Sequence, residues 1–313
     1  MRNLRNDSDV SLPLVAILMA TYNGERWLSE QLDSIFTQLD CRIHIFANDD
    51  GSSDETLAIL SRHRFAASIH ITQDKRGGAG QNFLHLVQIT DLTGFDYVAF
   101  SDQDDIWMPD KISRAIAQIK MQDADAYSSN VSAFWADGER RLIMKSQPQR
   151  KYDYLFESAG PGCTFVFRNN TATAFQAFLR ECPVDKLVKV TLHDWLAYGW
   201  VRGTGKKWFI DDFSGLDYRQ HGNNVLGTSQ NRMALKKRWQ MITDGWYIEQ
   251  ARGNARLIGH ENPPARYLCN GGLGNLVRTL LNISQLRRRR SEALFVGFVL
   301  LFEFFGLRRV IQE

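Results

Sequence analysis

Three carboxylates within four residues, in Asp102-Gln103-Asp104-Asp105, form the grouping in this chain best suited to chemistry. They follow Tyr97-Val98-Ala99-Phe100, an apolar run that reads as a buried strand. Carboxylates this close repel and raise one another's pKa. A divalent cation with a preference for oxygen removes that cost. A second acidic cluster, Asn48-Asp49-Asp50-Gly51-Ser52, follows the strand-like residues 43–47. Two acidic strand ends in one α/β domain suggest a site for a metal and a phosphorylated ligand, and leave the ligand open.

The elements that must position these residues alternate along the first hundred positions. Residues 14–19 form a continuous apolar run, as expected of a central parallel strand. Leu28, Leu32, Ile35 and Phe36 lie at helical spacing within a helix expected over 27–37. The strand at 43–47 leads through the acidic loop to a helix starting at Asp54-Glu55-Thr56, where acids favour a helix N-terminus. A strand at 68–72, a glycine-rich loop at 76–80, a helix at 82–89 and the strand at 97–100 complete the series. This order predicts a doubly wound, mostly parallel sheet. Ligands of such sheets sit beyond the carboxyl ends of the strands, where both acidic clusters fall.

Further along, the spacing predicts helices over 111–121 and 171–180, a strand over 164–167 and a helix beginning at 191–198. Residues 126–170 read as short strand-like pieces with turns, and 217–224 close the body. Basic amphipathic helices are expected over 233–241 and 246–257, with Pro263-Pro264 interrupting.

A 313-residue chain can bury a substantial core, and 44% hydrophobic with 23% charged residues excludes a disordered protein. Cys41, Cys163, Cys182 and Cys269 are scattered without a CxxC pair, which argues against a zinc site or disulfide framework. Reduced thiols in a cytosolic protein are the expectation. The polar first twelve residues and the strand-length apolar run after them give no signal peptide pattern.

The formal charge of +3 conceals an asymmetry. Residues 226–313 hold 14 Lys and Arg against 6 Asp and Glu, and the rest hold 24 against 29. The sequence therefore divides into an acidic body over 1–225 and a helical, basic region over 226–313. Within the latter, Arg287-Arg288-Arg289-Arg290 precede an apolar run over 293–302. That run is too short to span a bilayer, which needs about 20 residues. It suits a helix lying at an anionic membrane surface, with a buried helix or subunit contact as the alternative.

Together these pieces resemble the family-two nucleotide-sugar glycosyltransferases of the GT-A fold. The resemblance covers about 15–224 and rests on the segments 17–23 (ILMATYN), 48–54 (NDDGSSD) and 101–107 (SDQDDIW) in that order. The SDQDDIW form, Gly162-Cys163-Thr164-Phe165, His193-Asp194-Trp195 and the YRQHGNN run at 218–224 are similar to a bacterial rhamnosyltransferase subgroup that builds O-antigens and capsules.

The resemblance implies a role for each residue. Asp104 corresponds to the carboxylate that contacts Mn²⁺ or Mg²⁺, and Asp102 begins the DxD pattern beside Gln103 on the nucleotide side. Asp50 matches the residue that accepts a hydrogen bond from a pyrimidine. Uracil and thymine both offer that N–H, so dTDP-rhamnose and UDP-sugars both remain open as donors. Tyr22 would stack on or edge the base, or pack in the core. Ala20 and Thr21 would offer backbone or hydroxyl contacts. Asp194 is the expected catalytic base, since an inverting transfer needs one carboxylate to take the acceptor's proton. His193 could orient Asp194, contact the acceptor or cap the helix. His221 could ligate the metal, meet a phosphate or lie in a surface loop. Asp105 either supports the metal site or caps the following helix. Trp107 and Trp195 could line an acceptor pocket or fill the core. Arg219 would pair with a phosphate or a body carboxylate, and Lys75 and Arg76 could cover the nucleotide. Asp49 reads as a turn-capping residue.

The implied protein is an inverting, metal-dependent glycosyltransferase acting on a lipid-linked saccharide, peripheral on the inner face of a bacterial membrane. A nucleotidyltransferase would carry a basic glycine-rich loop after the first strand, and residues 21–25 (TYNGE) lack it. A nucleic-acid-binding protein would spread basic residues over the body, whereas the body is acidic, so no nucleic-acid partner is expected.

Overall fold

A computed structural model describes residues 12–221, 240–241, 243–259 and 261–306. Its first half is the expected alternation: β1 (Leu14–Thr21), α1 (Leu28–Phe36), β2 (Arg42–Asp49), α2 (Thr56–Arg62), β3 (Ile69–Thr72), α3 (Ala79–Ile89) and β4 (Tyr97–Ser101). Strands β3, β2, β1 and β4 lie side by side in that order, and every pairing among them is parallel. Strand β1 shows why a continuous apolar run was needed. Its Val15, Ile17 and Met19 enter the core on one face of the sheet, and Ala16, Leu18 and Ala20 enter the core on the other.

Beyond β4 the sheet becomes mixed. The chain continues through β5 (Ile106–Trp107), α4 (Lys111–Met121), β6 (Ala126–Phe134), β7 (Arg140–Ile143), β8 (Val166–Arg168), α5 (Asn169–Glu181), α6 (Val184–Leu187), α7 (His193–Gly203) and β9 (Trp208–Arg219). The sheet order is β3-β2-β1-β4-β8-β6-β9-β5, with β7 beside β6. Strands β4 and β6 both pair antiparallel with β8, and β6 pairs parallel with β9. The first four strands are wholly parallel, and the antiparallel pairings all lie beyond them. Strand β6 is a single strand where the sequence reads as fragments, because it buries Ser128, Ser129 and Asn130. These polar residues are satisfied internally: the Trp208 indole donates to Ser128 Oγ, and Asn130 Oδ1 accepts from the amides of Lys145 and Ser146.

The C-terminal helices are α8 (Trp246–Ile258), α9 (Pro263–Asn270), α10 (Leu273–Leu280) and α11 (Arg290–Phe304). The expected helix at 233–241 lies outside the described residues except at its last two positions. Pro263-Pro264 begin α9 rather than interrupting a helix, with Asn262 as the cap accepting from Ala265 N at 3.0 Å. Ile248, Ala251, Tyr267, Leu268, Val296 and Leu300 belong to the same apolar core as Leu18 and Phe100. The charge boundary at residue 225 thus separates compositions, while the packing is continuous across it. No helix among the described residues is long and apolar enough to cross a membrane.

Candidate active site

The parallel register sets three strand ends beside one another. Thr21 pairs with Asp49 and Met19 with Ser101, so the loops after β1, β2 and β4 converge at one edge. Gln103 joins two of them. Its Oε1 accepts from Tyr22 N at 2.8 Å, and its Nε2 donates to Tyr22 O at 2.8 Å. The approach is close enough that a Cβ on Gly24 would lie 2.4 Å from Gln103 Oε1. Tyr22, whose backbone is held in this way, is 55% exposed and therefore available to a ligand rather than packed in the core.

At β2, Asp49 caps its own turn, accepting from Gly51 N at 3.1 Å and Ser52 N at 2.7 Å. Thr21 donates its hydroxyl to Asp49 Oδ1 at 3.1 Å, and the Ala20 side chain belongs to the core, so neither side chain is free for a nucleotide. The Asp50 carboxylate is engaged by backbone amides. Its oxygens accept from the backbone amides of Arg76, Gly77 (2.9 Å) and Gly78 (2.6 Å). Gly77 and Gly78 have φ of 81° and 143°, which glycine tolerates, and this lets successive amides turn toward one carboxylate.

The second half of the sheet supplies the other wall. Strand β9 runs antiparallel to β5, pairing Ile106 with Asp217, and so returns residues 219–221 to the acidic turn. Arg219 N donates to Asp105 Oδ1 at 3.1 Å, and Arg219 Nε donates to Asp104 O at 2.7 Å. The Arg219 guanidinium pairs with Glu30, so its partner is a body carboxylate. His221 Nε2 lies 2.6 Å from Asp104 Oδ2, with the imidazole stacked on Trp27 at 4.4 Å. The structure thus brings together the two residues expected at a metal, 117 positions apart.

Below this pair, ligand atoms of Asp102, Asp105 and Cys163 lie within 4.8 Å of one another. Burial, and then the neighbouring Asp104 charge, push the Asp102 carboxyl up to about 7. The same causes raise Asp105 well above the carboxylate range. Asp105 Oδ2 is buried without a hydrogen-bond partner. Burial raises the Cys163 thiol, which keeps it protonated and a poor ligand or nucleophile. The remaining donors are carboxylate oxygens and one imidazole, a set that fits Mg²⁺ or Mn²⁺. Asp104 and His221 could hold such an ion, with Asp102 adjoining.

Asp194 stands in the first turn of α7, where its Oδ1 accepts from Trp195 N at 2.7 Å. Burial raises its carboxyl to about 6, against the lowering effects of that amide, Lys145 and the Ser158 side chain. Its charge is felt at Asp102, which places it beside the acidic cluster. A base that ionises near neutrality is well matched to proton abstraction.

Of the alternatives open for Trp195, Trp107 and His193, packing inside the protein is the one the structure displays. Trp195 is buried, stacks on Tyr247 at 5.5 Å and donates from Nε1 to Tyr154 O at 3.0 Å. Trp107 is buried with the Lys111 ammonium 3.4 Å from its ring centroid. His193 stacks on Phe83 at 4.0 Å, and its Nε2 faces Gly162, where a Cβ would lie 2.4 Å away. Burial lowers the His193 imidazole to about 3, so it is neutral and makes no charge pair with Asp194.

A family model for glycosyl transferase family 2 matches residues 16–180, just over half of the chain. The chain belongs to that family. This glycosyltransferase is 38% identical over 291 residues to a dTDP-rhamnosyl transferase of Shigella flexneri, covering 92% of the chain and 100% of the relative. It is 25% identical over 163 residues to an Escherichia coli UDP-Glc:alpha-D-GlcNAc-diphosphoundecaprenol beta-1,3-glucosyltransferase, covering 51% of the chain and 62% of the relative. The enzyme is therefore a transferase of the rhamnosyltransferase-like kind. Its fold is that of solved GT-A structures. Staphylococcus aureus TarS residues 1–349 superpose with TM-score 0.54 at 13% identity, over 92% of this chain and 80% of that one. A Pyrobaculum calidifontis mannosyltransferase in complex with GDP-Man and Mn²⁺ superposes with TM-score 0.54 at 16% identity, over 96% and 83%.

Sequence reasoning missed several residues that surround the candidate site. Lys111 reads in sequence only as a helix start, yet it lies buried under the acidic turn, and burial lowers its ammonium to about 7. Lys145 and Ser158, which flank Asp194, carry no motif. Their roles depend on β7 and the 158–160 turn folding back toward α7, which local sequence does not encode.

Proposed function

We propose that this glycosyltransferase transfers L-rhamnose from dTDP-rhamnose, with inversion, to a lipid-linked saccharide in cell-surface polysaccharide synthesis. The full-length similarity to a dTDP-rhamnosyl transferase is the observation that carries the donor. Tyr22, held by Gln103, forms the base end of the donor site. A pyrimidine N–H at Asp50 would replace one of the three amides on that carboxylate, so base binding is coupled to the 76–78 loop. A divalent cation at Asp104 and His221 would supply positive charge to the departing diphosphate.

Asp194 supports inversion because one carboxylate suffices for a single displacement. The acceptor hydroxyl gives its proton to Asp194 as its oxygen bonds to the anomeric carbon. The bond from that carbon to the diphosphate breaks, and the electron pair leaves on the phosphate oxygen. Asp194, on α7 beside the carboxylate cluster, is near enough for one site to take both the donor diphosphate and the acceptor hydroxyl.

A lipid-linked acceptor is supported by the diphosphoundecaprenol acceptor that the Escherichia coli relative's name carries. Helix α11 supports a peripheral site on the cytoplasmic face of the membrane. Leu294, Phe295, Phe298 and Leu301 share its exposed side, and Arg289 and Arg290 are exposed at its start. The arginine cluster is smaller than its sequence suggests, since Arg287 and Arg288 are engaged internally.

The test is a panel of nucleotide sugars with Mn²⁺ or Mg²⁺, scored for nucleotide release and inverted product. Turnover of dTDP-rhamnose over UDP-hexoses is expected. Preference for a UDP-hexose would overturn the donor and leave the family intact. Sedimentation with anionic but not neutral vesicles checks the membrane surface, and binding to neither would remove it.

A further inference from the structure

We infer that Arg288, assisted by Arg287, is a positioning residue that holds Asp194 and the Ser158 turn in their working geometry. This rests on the proposed role of Asp194. The C-terminal segment is then a working part of the active site as well as a membrane-facing one.

The contacts are specific. Arg288 has a side chain 1% exposed, and its Nη2 donates to Ser158 O at 2.7 Å and meets Glu157 Oε2 at 3.1 Å. Its backbone N donates to Glu157 Oε1 at 2.6 Å. Nη1 lies 3.8 Å from Asp153 Oδ2. Arg287 donates from Nη1 to Phe156 O at 2.9 Å and from Nη2 to Glu292 Oε2 at 2.6 Å. The Tyr247 hydroxyl on α8 donates to the same Phe156 carbonyl at 2.6 Å. The backbone at 156–158 is therefore gripped by three residues from the C-terminal segment.

The same arginine also reaches the helix that carries the base. Asp153 is fully buried and accepts from the Tyr198 hydroxyl at 3.1 Å and from Arg202 Nη1 at 3.3 Å. Asp194, Tyr198 and Arg202 are four residues apart on α7, so they share one face. Arg288 Nη1, which makes no hydrogen bond, adds charge to that face through Asp153 at 3.8 Å, while its Nη2 bond to Ser158 O sets the turn whose side chain meets Asp194. A buried guanidinium with planar, fixed donors can bridge several acceptors, and an ammonium cannot reproduce the geometry. Helix α11 begins at Arg290, two residues beyond this clamp.

The experiment compares Arg288→Lys and Arg288→Gln with the wild type, using Arg266→Gln as a surface control. Donor binding is followed by titration of nucleotide with Mn²⁺, and transfer by steady-state kinetics. Amide hydrogen exchange is measured over 154–160 and 193–198. Turnover is expected to fall at least tenfold in both variants, with nucleotide affinity within about twofold of wild type. Exchange should accelerate in both segments, and Arg266→Gln should match the wild type. Wild-type turnover in a folded Arg288→Gln would overturn the inference. So would parallel losses of turnover, nucleotide affinity and thermal stability in the milder Arg288→Lys, which would mark a purely structural arginine. Asp194→Asn run beside them separates the two ideas. Retained turnover in Asp194→Asn removes the base assignment, while the exchange data still report whether Arg288 orders the turn.

Discussion

Replacing Asp194 with Asn should abolish transfer and yet stabilise the protein, with a pH dependence that follows from its environment. Burial raises the folded-state carboxyl from 3.8 to about 6. The folded state therefore holds a proton on Asp194 that the unfolded chain releases at a lower pH. Below about pH 4 both states are protonated, and this residue has no differential effect. As pH rises through 6, the folded state must bury a charge that the unfolded state keeps in water, so stability is lost. Each pKa unit corresponds to about 1.4 kcal/mol, which gives about 3 kcal/mol by pH 7 as a ceiling. Solvent at the partly exposed carboxylate reduces this to roughly 1–2 kcal/mol. Asparagine keeps an oxygen for the Trp195 amide and carries no charge. Its melting temperature should match the wild type near pH 4 and exceed it by a few degrees above pH 6.5. Thermal unfolding across pH 4–8 reads the stability, and nucleotide release reads the chemistry. Wild-type turnover should itself fall as pH drops through about 6, because the base must be ionised. An Asn variant that is less stable at every pH, or that turns over substrate, would refute the reasoning.

Asp104→Ala removes the carboxylate paired with His221 and should lower Mn²⁺ affinity at least tenfold and turnover by roughly 10²–10³-fold; unchanged Mn²⁺ binding by calorimetry would remove Asp104 from the metal. Gln103→Ala deletes both hydrogen bonds to the Tyr22 backbone, each worth about 1 kcal/mol, and should raise the donor KM more than it lowers kcat; an unaltered donor KM would show that the clamp is not part of the donor site. Gly80→Ala sets a Cβ 2.1 Å from the Thr191 carbonyl oxygen, so the segment entering α7 must shift. A loss of about 1–3 kcal/mol is expected in denaturant unfolding, and wild-type stability would contradict the close approach.

The parts legible in the sequence are those whose cause is local. Strand β1 announces itself because both of its faces are buried, and the Asp49 turn because its carboxylate needs only the two amides at 51 and 52. The acidic turn is legible as a charge problem awaiting a cation. What is illegible depends on partners far away in the chain. Strand β6 reads as fragments because its serines and asparagine look solvent-facing until Trp208 and the 145–146 amides are set against them. Trp195 reads as a possible sugar platform until Tyr154, 41 residues earlier, takes its N–H. The four arginines read as one cationic patch because composition fixes their sign and not their partners. Glu157 and Asp153, more than 125 residues away, draw two of them inward and leave two outside. A run of like charge divided in this way cannot be only an anchor. Neutralising the buried half would leave Glu157 without its cations beside the turn at Ser158, and that cost falls on the active site rather than on the membrane face.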